Sequence, residues 1–154
     1  MAIKSAGPIN IAEVHQAHSS FITRHAVMVQ REAEQAGRFG VQHVHDHHKF
    51  KTQTGNLERK TSHKVFVRRG GKILRLQNTA PYAAAIDLGA KPHVIRPRKA
   101  RALRFITRGK LVFARKVNHP GNRPYRFLYN AADAAGRVLG QGLKEGMDRV
   151  AARF

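Results

Sequence analysis

The spacing of the apolar residues changes twice along this chain of 154 residues, and that change limits the folds open to it. Near the N-terminus, Ile11, Val14, Ala17, Phe21, Ala26, Val29 and Ala33 fall on one helical face. Asn10 is placed to cap that helix, Glu13 follows three residues later in the style of a capping box, and Gly37 offers a C-cap. In the middle, residues 62–69 and 72–76 partly alternate around Gly70-Gly71, and residues 103–107 and 110–114 flank Arg108-Gly109. Alternation broken by a glycine turn reads as a hairpin. Val65, Val67, Ile73 and Leu76 are the expected core face of the first. The helical period returns from Tyr125 to Ala152, with Phe127, Leu128, Ala131, Ala135, Val138, Leu139, Leu143 and Val150 on its apolar side. The pattern predicts an α+β fold: an antiparallel sheet of two hairpins packed against long N- and C-terminal helices, with an extended arm.

The arm is the stretch 38–56, which has no clean period. Long loops inside compact domains are functional or disordered, so it is expected to be flexible in the free subunit and to order on assembly. The N-terminal helix is longer than average, which suggests that part of it packs on a neighbouring subunit or spans a sheet. A short helix is expected over 81–88, with Pro81 in its first turn and Gly89 as its C-cap. Gly136, Gly140, Gly142 and Gly146 lie inside the last helix. Each costs about 1 kcal/mol against Ala, so either the helix kinks or a close neighbour needs small residues there.

Length suits a single domain spanning the chain, able to bury roughly two thirds of its unfolded surface. No run of apolar residues is long enough for a transmembrane helix, no signal peptide is visible, and the absence of cysteine excludes disulfides and thiolate metal sites. The formal net charge is +20, and it is concentrated: residues 91–126 hold twelve Lys or Arg and no acid. Basicity so localised usually faces a polyanion or an acidic protein. Arg96, Arg98, Lys99, Arg101, Arg104, Arg108 and Lys110 are the candidate contacts with DNA or an acidic partner. If DNA is touched, it is through phosphate, without sequence readout, because few aromatics interleave the charges. Phe105 and Phe113 are expected to be core rather than stacking platforms.

Few residues suggest chemistry. His43, His45 and His47 would point the same way from an extended arm, as three imidazoles able to bind Zn, Ni or Cu do. A structural zinc site normally uses four ligands in a rigid frame, so the segment reads instead as a polar arm gaining charge near pH 6, with no metal. Asp46-His47-His48 and Asn118-His119 are too far apart for a compact His-Asn-His nuclease motif, and paired carboxylates for a two-metal site are missing. Phosphate-cradling glycine motifs are absent too. The chain is therefore expected to be no enzyme and to carry no cofactor.

One ordered set of pieces is more telling. Tyr82-Ala83-Ala84-Ala85-Ile86-Asp87-Leu88-Gly89 is followed by a basic hairpin, then His119-Pro120-Gly121, then Arg123-Pro124-Tyr125-Arg126-Phe127-Leu128, with Thr54-Gly55-Asn56-Leu57 upstream. That order resembles the neck, or tail-completion, proteins that join head and tail in long-tailed bacteriophages. The resemblance spans about half the chain; the sequence departs from it in being more basic and in its His-rich arm. It implies a structural virion protein, made in the host cytoplasm and located at the head–tail junction. The protein would form a ring of six-fold symmetry that completes the tail and joins it to the filled head. Its partners would be copies of itself, other neck, head-completion and tail-tube proteins, and DNA in the channel, with no membrane. Tyr82, Ile86, Leu88, Phe39, Val41 and Phe50 would contribute to the subunit interface. The alternative is a basic nucleic-acid-binding module without sequence preference.

Overall fold

The structure is a computed structural model that describes residues 10–52, 54–107 and 109–152. It is α+β. In chain order the elements are α1 (Ile11–His47), α2 (Asn56–Arg59), β1 (Thr61–Arg68), β2 (Gly71–Asn78), α3 (Ala83–Leu88), β3 (His93–Ile95), β4 (Leu103–Thr107), β5 (Lys110–Ala114), β6 (Val117–His119) and α4 (Phe127–Ala151). No described helix is long and apolar enough to cross a membrane.

Helix α1 begins as its sequence directs: the Asn10 side chain accepts from the Ala12 amide at 3.1 Å and donates to Glu13 at 3.0 Å. It does not stop at Gly37. It runs on to His47, so most of the expected arm is helix, and only the segment before α2 remains irregular. Gly37 serves packing rather than termination. A Cβ there would sit 2.3 Å from the His63 ring and 2.9 Å from Leu74, so glycine lets the β1–β2 hairpin lie directly on the helix.

The hairpin turns through Arg69 and Gly70, both at positive φ, which suits the right-handed twist of a two-residue turn. Its register pairs Val65 with Leu74 and Phe66 with Ile73. The inner face carries His63, Val65, Leu74 and Leu76, and Lys72 reaches Gln30 at 2.7 Å. Two expected core residues are corrected by this register. Ile73 is on the other face, paired with Phe66, whose ring lies under Arg75, and Val67, near the turn, is exposed.

Helix α4 runs antiparallel to α1: Gly146 meets Met28, Gly142 meets Glu32, and Ala135 meets Gly40. Two of the four glycines within α4 thus admit side chains of α1, while Gly136 and Gly140 face nothing within 4 Å. Glu32 is buried in this seam, with Arg31 at 2.8 Å and Arg149 at 3.6 Å. At the far end of the seam Val44, Phe50, Leu57, Ala80, Ala83, Phe127 and Ala131 form the core, with Leu76, Ile86, Tyr125 and Leu128 packed against it.

The two hairpins do not share a sheet. The described strands make three two-stranded antiparallel sheets, β1–β2, β3–β6 and β4–β5. Of the three, the first makes the extensive contact with α1 and α4.

Candidate functional site

The basic run 91–126 is a projecting ribbon on a short stem. The stem is the β3–β6 pair, in which His93 pairs with His119 and Ile95 with Val117. The ribbon is the β4–β5 pair. Between them, Arg96, Arg98, Lys99 and Arg101 lie on an irregular loop and are exposed, as are Arg104 and Lys110 on the strands. Arg108 lies outside the described residues. None of the ion pairs among the described residues involves 91–126.

Strand alternation sorts the ribbon into two faces. Leu103, Phe105, Val112 and Ala114 share the half-buried face, and a cavity bounded by Ile95, Leu103, Phe105 and Val117 opens beside it. The opposite face carries Arg104, Ile106, Leu111 and Phe113, with Ile106 74%, Leu111 50% and Phe113 65% exposed. Phe113 is therefore not core, contrary to expectation, because the register places it opposite Arg104 rather than beside Phe105.

The stem is clasped to the helical body. Ala90 and Asn122 exchange backbone hydrogen bonds of 3.0 and 2.9 Å, and the Asn122 side chain donates to the Ala85 carbonyl at 2.9 Å. The Tyr125 amide donates to the Ile86 carbonyl and the Arg126 amide to the Asp87 carbonyl. Asp87, the lone acid of 79–131, accepts from the Leu128 amide at 2.9 Å. Its charge thereby satisfies an otherwise unpaired donor at the α4 N-terminus. Gly121, at φ 80°, makes the approach possible: a Cβ there would lie 2.2 Å from the Ala90 carbonyl oxygen. The short helix, the Pro-Gly turn and the start of α4 are thus brought together. Sequence reasoning missed the roles of Asp87 and Asn122; a single acid just ahead of a wholly basic run was the available signal.

Of the residues expected at a subunit interface, Leu88 is exposed, Tyr82 and Phe39 are partly so, Val41 is half-buried, and Ile86 packs against the core. Tyr82 accepts a hydrogen bond from Asn56 at 3.0 Å. Phe50 is corrected: it is 8% exposed, stacked on His48 at 4.1 Å and set edge-on to Phe127 at 5.3 Å. Its ring is spent inside this chain.

The histidines also change meaning, because a helix replaces the extended arm. His43 and His47 stand one turn apart with rings stacked at 4.4 Å, while His45 lies two residues from each and so off their face. No group of three or more His, Asp or Glu among the described residues is arranged to hold a metal. Burial, then His47 and then Arg137 hold the His43 pKa below the usual imidazole value. His48 instead anchors the segment after α1. Its ring nitrogens lie 3.0 Å from the Phe50 carbonyl and 3.3 Å from Glu58. Burial acts most strongly on Glu58 and works to raise its pKa. The Thr52 hydroxyl, the Glu58 backbone amide, His48 and His45 outweigh it and bring the carboxyl below its ordinary range. These contacts are structural, holding the 48–58 segment over the core. No protein-family model, curated protein or solved structure matches the chain.

Proposed function

We propose that this chain is a structural protein of the neck of a long-tailed bacteriophage, forming a ring that completes the tail and joins it to the DNA-filled head. It acts by contact and not as an enzyme. The observation that carries the reading is the basic ribbon fixed at its stem to the helical body. Its outward face holds Ile106, Leu111 and Phe113 in water amid unpaired cations. An apolar patch rimmed by charge marks a protein contact. Phosphate would neutralise the rim but leave the apolar centre uncovered. An acidic neighbouring protein with an apolar centre matches both, which favours the neck reading over a free nucleic-acid-binding module. Closing a ring needs a heterologous contact, for which the ribbon face on one side and the exposed Leu88 and Tyr82 on the other are candidates, with six-fold symmetry the first expectation.

The test is to image particles carrying a tagged copy of the chain by cryo-electron microscopy, and to titrate the free chain with duplex DNA of unrelated sequences. The expected result is a ring of copies at the head–tail junction. No copy there, together with salt-sensitive binding of the free chain to every duplex, overturns the proposal in favour of the nucleic-acid module.

A further inference from the structure

We infer that the free edge of β5 docks an extended segment of another protein, apolar in its middle and acidic at both ends, which pairs antiparallel as a third strand of the ribbon. Such a strand belongs to the acidic neighbour of the neck reading, on which this assignment rests. Main-chain pairing goes beyond that reading by fixing how the neighbour is held.

The ribbon is incomplete as a sheet. Among the described strands, β4 and β5 pair with each other and with no third strand. A two-stranded hairpin gains independent stability from a further strand or a covering helix. Thr107 and Lys110 face each other across the two-residue turn, so they exchange ladder bonds, and by alternation Phe105 does so with Val112 and Leu103 with Ala114. Leu111 and Phe113 fall between, and direct their amides and carbonyls away from β4. Among the described residues no backbone bond outside the ladder takes up those groups. Their side chains, 50% and 65% exposed, share the outer face.

The two edges of the ribbon differ. Residues 96–102 intervene between β3 and β4 and carry the exposed Arg96, Arg98, Lys99 and Arg101, so that edge is interrupted. Arg115 and Lys116 alone separate β5 from β6, and no proline falls between Lys110 and His119. The β5 edge therefore runs on almost unbroken. A long open edge is a template for another strand.

Charge says which strand. A second copy is disfavoured: the register of longest overlap, Phe113 opposite Phe113, sets Lys110 of each copy against Lys116 of the other. Like charges directly opposed destabilise a strand pair, and basic residues on an edge are a known device against self-pairing. A nucleic acid offers phosphate to the cations but no ladder of amides and carbonyls to the edge. A strand with acids at both ends answers Lys110 at one end and Arg115 and Lys116 at the other, in a run, 91–126, that has no acid of its own. Its middle covers Leu111 and Phe113, where aromatic and β-branched cross-strand pairs are favourable. This is recognition by strand addition, with affinity from the main chain and selectivity from charge.

The probe is a synthetic peptide, Glu-Glu-Val-Thr-Val-Thr-Glu-Glu with blocked ends, titrated into the full chain. In antiparallel pairing the valines lie beside Leu111 and Phe113 and aim their amides at β5, while the threonine amides point away. The peptide is expected to bind, to bind less tightly as salt rises, and to slow hydrogen exchange at the Leu111 and Phe113 amides. N-methylation of both valines should weaken binding about tenfold or more, since two ladder bonds are lost. N-methylation of both threonines should leave it unchanged. The changes are made in the peptide, so the folding of the chain does not enter. Equal binding of all three peptides overturns the inference alone, because contact is then through side chains, and an acidic neighbour is still accommodated. An absence of binding overturns it, as does protection confined to other amides. A peptide copied from residues 110–116 that binds as tightly as the acidic one overturns it in favour of pairing between copies. The neck reading stands or falls separately, on whether copies are imaged at the head–tail junction.

Discussion

In the helical body, formed by α1, α4 and the β1–β2 hairpin, carboxylates meet cations. Glu32 lies between Arg31 and Arg149, Glu34 meets His63 at 3.0 Å, and Asp133 meets Arg137. In the ribbon and its stem, twelve cations stand with no carboxylate of their own. Packing divides the same way. Small residues let the body's elements touch: Ala36, Ala131 and Ala135 are almost wholly buried, and Gly37 and Gly40 admit the hairpin. The ribbon buries half of one face and leaves the other to solvent. The body's seam, from Met28 to Gly40 along α1, is completed within one chain. The ribbon lacks both the counter-charge and the cover that would complete it, and a second molecule is the simplest source of both.

The comparison breaks most readily on core deletions. Phe127 is 3% exposed and sits in the core cluster with Phe50 and Val44. Phe127→Ala should lower the free energy of unfolding by about 3–5 kcal/mol, from lost transfer energy plus the cavity left behind. Ile106→Ala on the ribbon should change it by less than about 0.5 kcal/mol, as for surface substitutions generally. Chemical denaturation of the two variants measures both. Equal losses would mean that the ribbon face is covered within the subunit.

Acid should act on the body next. His43 has a pKa below the usual 6.5, so the unfolded chain takes up its proton first. The stability that the neutral ring contributes is complete above 6.5 and is lost as pH falls from there through the folded value. Glu58 has a pKa below its ordinary 4.5. Its contribution is complete above 4.5 and is lost as pH falls through its own, lower value. Melting temperature should therefore decline in two steps, the second absent in Glu58→Gln. At neutral pH that variant should lose about 1–3 kcal/mol, because the carboxylate holds charged hydrogen bonds to Thr52 and His48. An unchanged acid profile in Glu58→Gln would show that the 48–58 segment is held by its apolar contacts alone.

Local chemistry made parts of this fold legible in the sequence, and tertiary contact hid the rest. The β4–β5 ribbon was readable to the residue because alternation and a Gly turn are local signals. So was the start of α1, which one side chain caps. The end of α1 was not. Gly37 has the form of a C-cap, and its real cause is a hairpin that arrives from later in the chain. Residues 38–47 show little apolar period because Gly40 and Val44, which carry the seam there, look unremarkable in sequence. Phe50 suits an interface only if the segment around it is a free arm; in the fold His48 and Phe127 hold its ring inside the subunit. The three-residue strands β3 and β6 are too short to show a period. In the candidate site the cations were legible, since an acid-free run of them cannot be buried. Which ribbon face meets solvent was not, because alternation defines two faces without saying which one the stem covers.

The smallest expected effect is the sharpest probe of the charge contrast. Arg98, Lys99 and Arg101 sit on the exposed loop beside the ribbon with no acid in 91–126. In the isolated subunit they contribute repulsion and little else. Replacing all three by Ser should therefore leave stability within about 0.5 kcal/mol of the parent and, at low salt, raise it slightly. The gain should fade as ionic strength rises and the Debye length shrinks to about 3 Å at 1 M. The same triple replacement in the body's paired cations Arg31, Arg137 and Arg149 should act in the opposite sense, most clearly at Glu32, whose buried carboxylate would lose both neighbours. Thermal melts of the two triple variants over a salt series give the comparison directly. If the loop variant is destabilised as the body variant is, these three cations have partners inside the subunit, and the ribbon does not depend on a second molecule for its counter-charge.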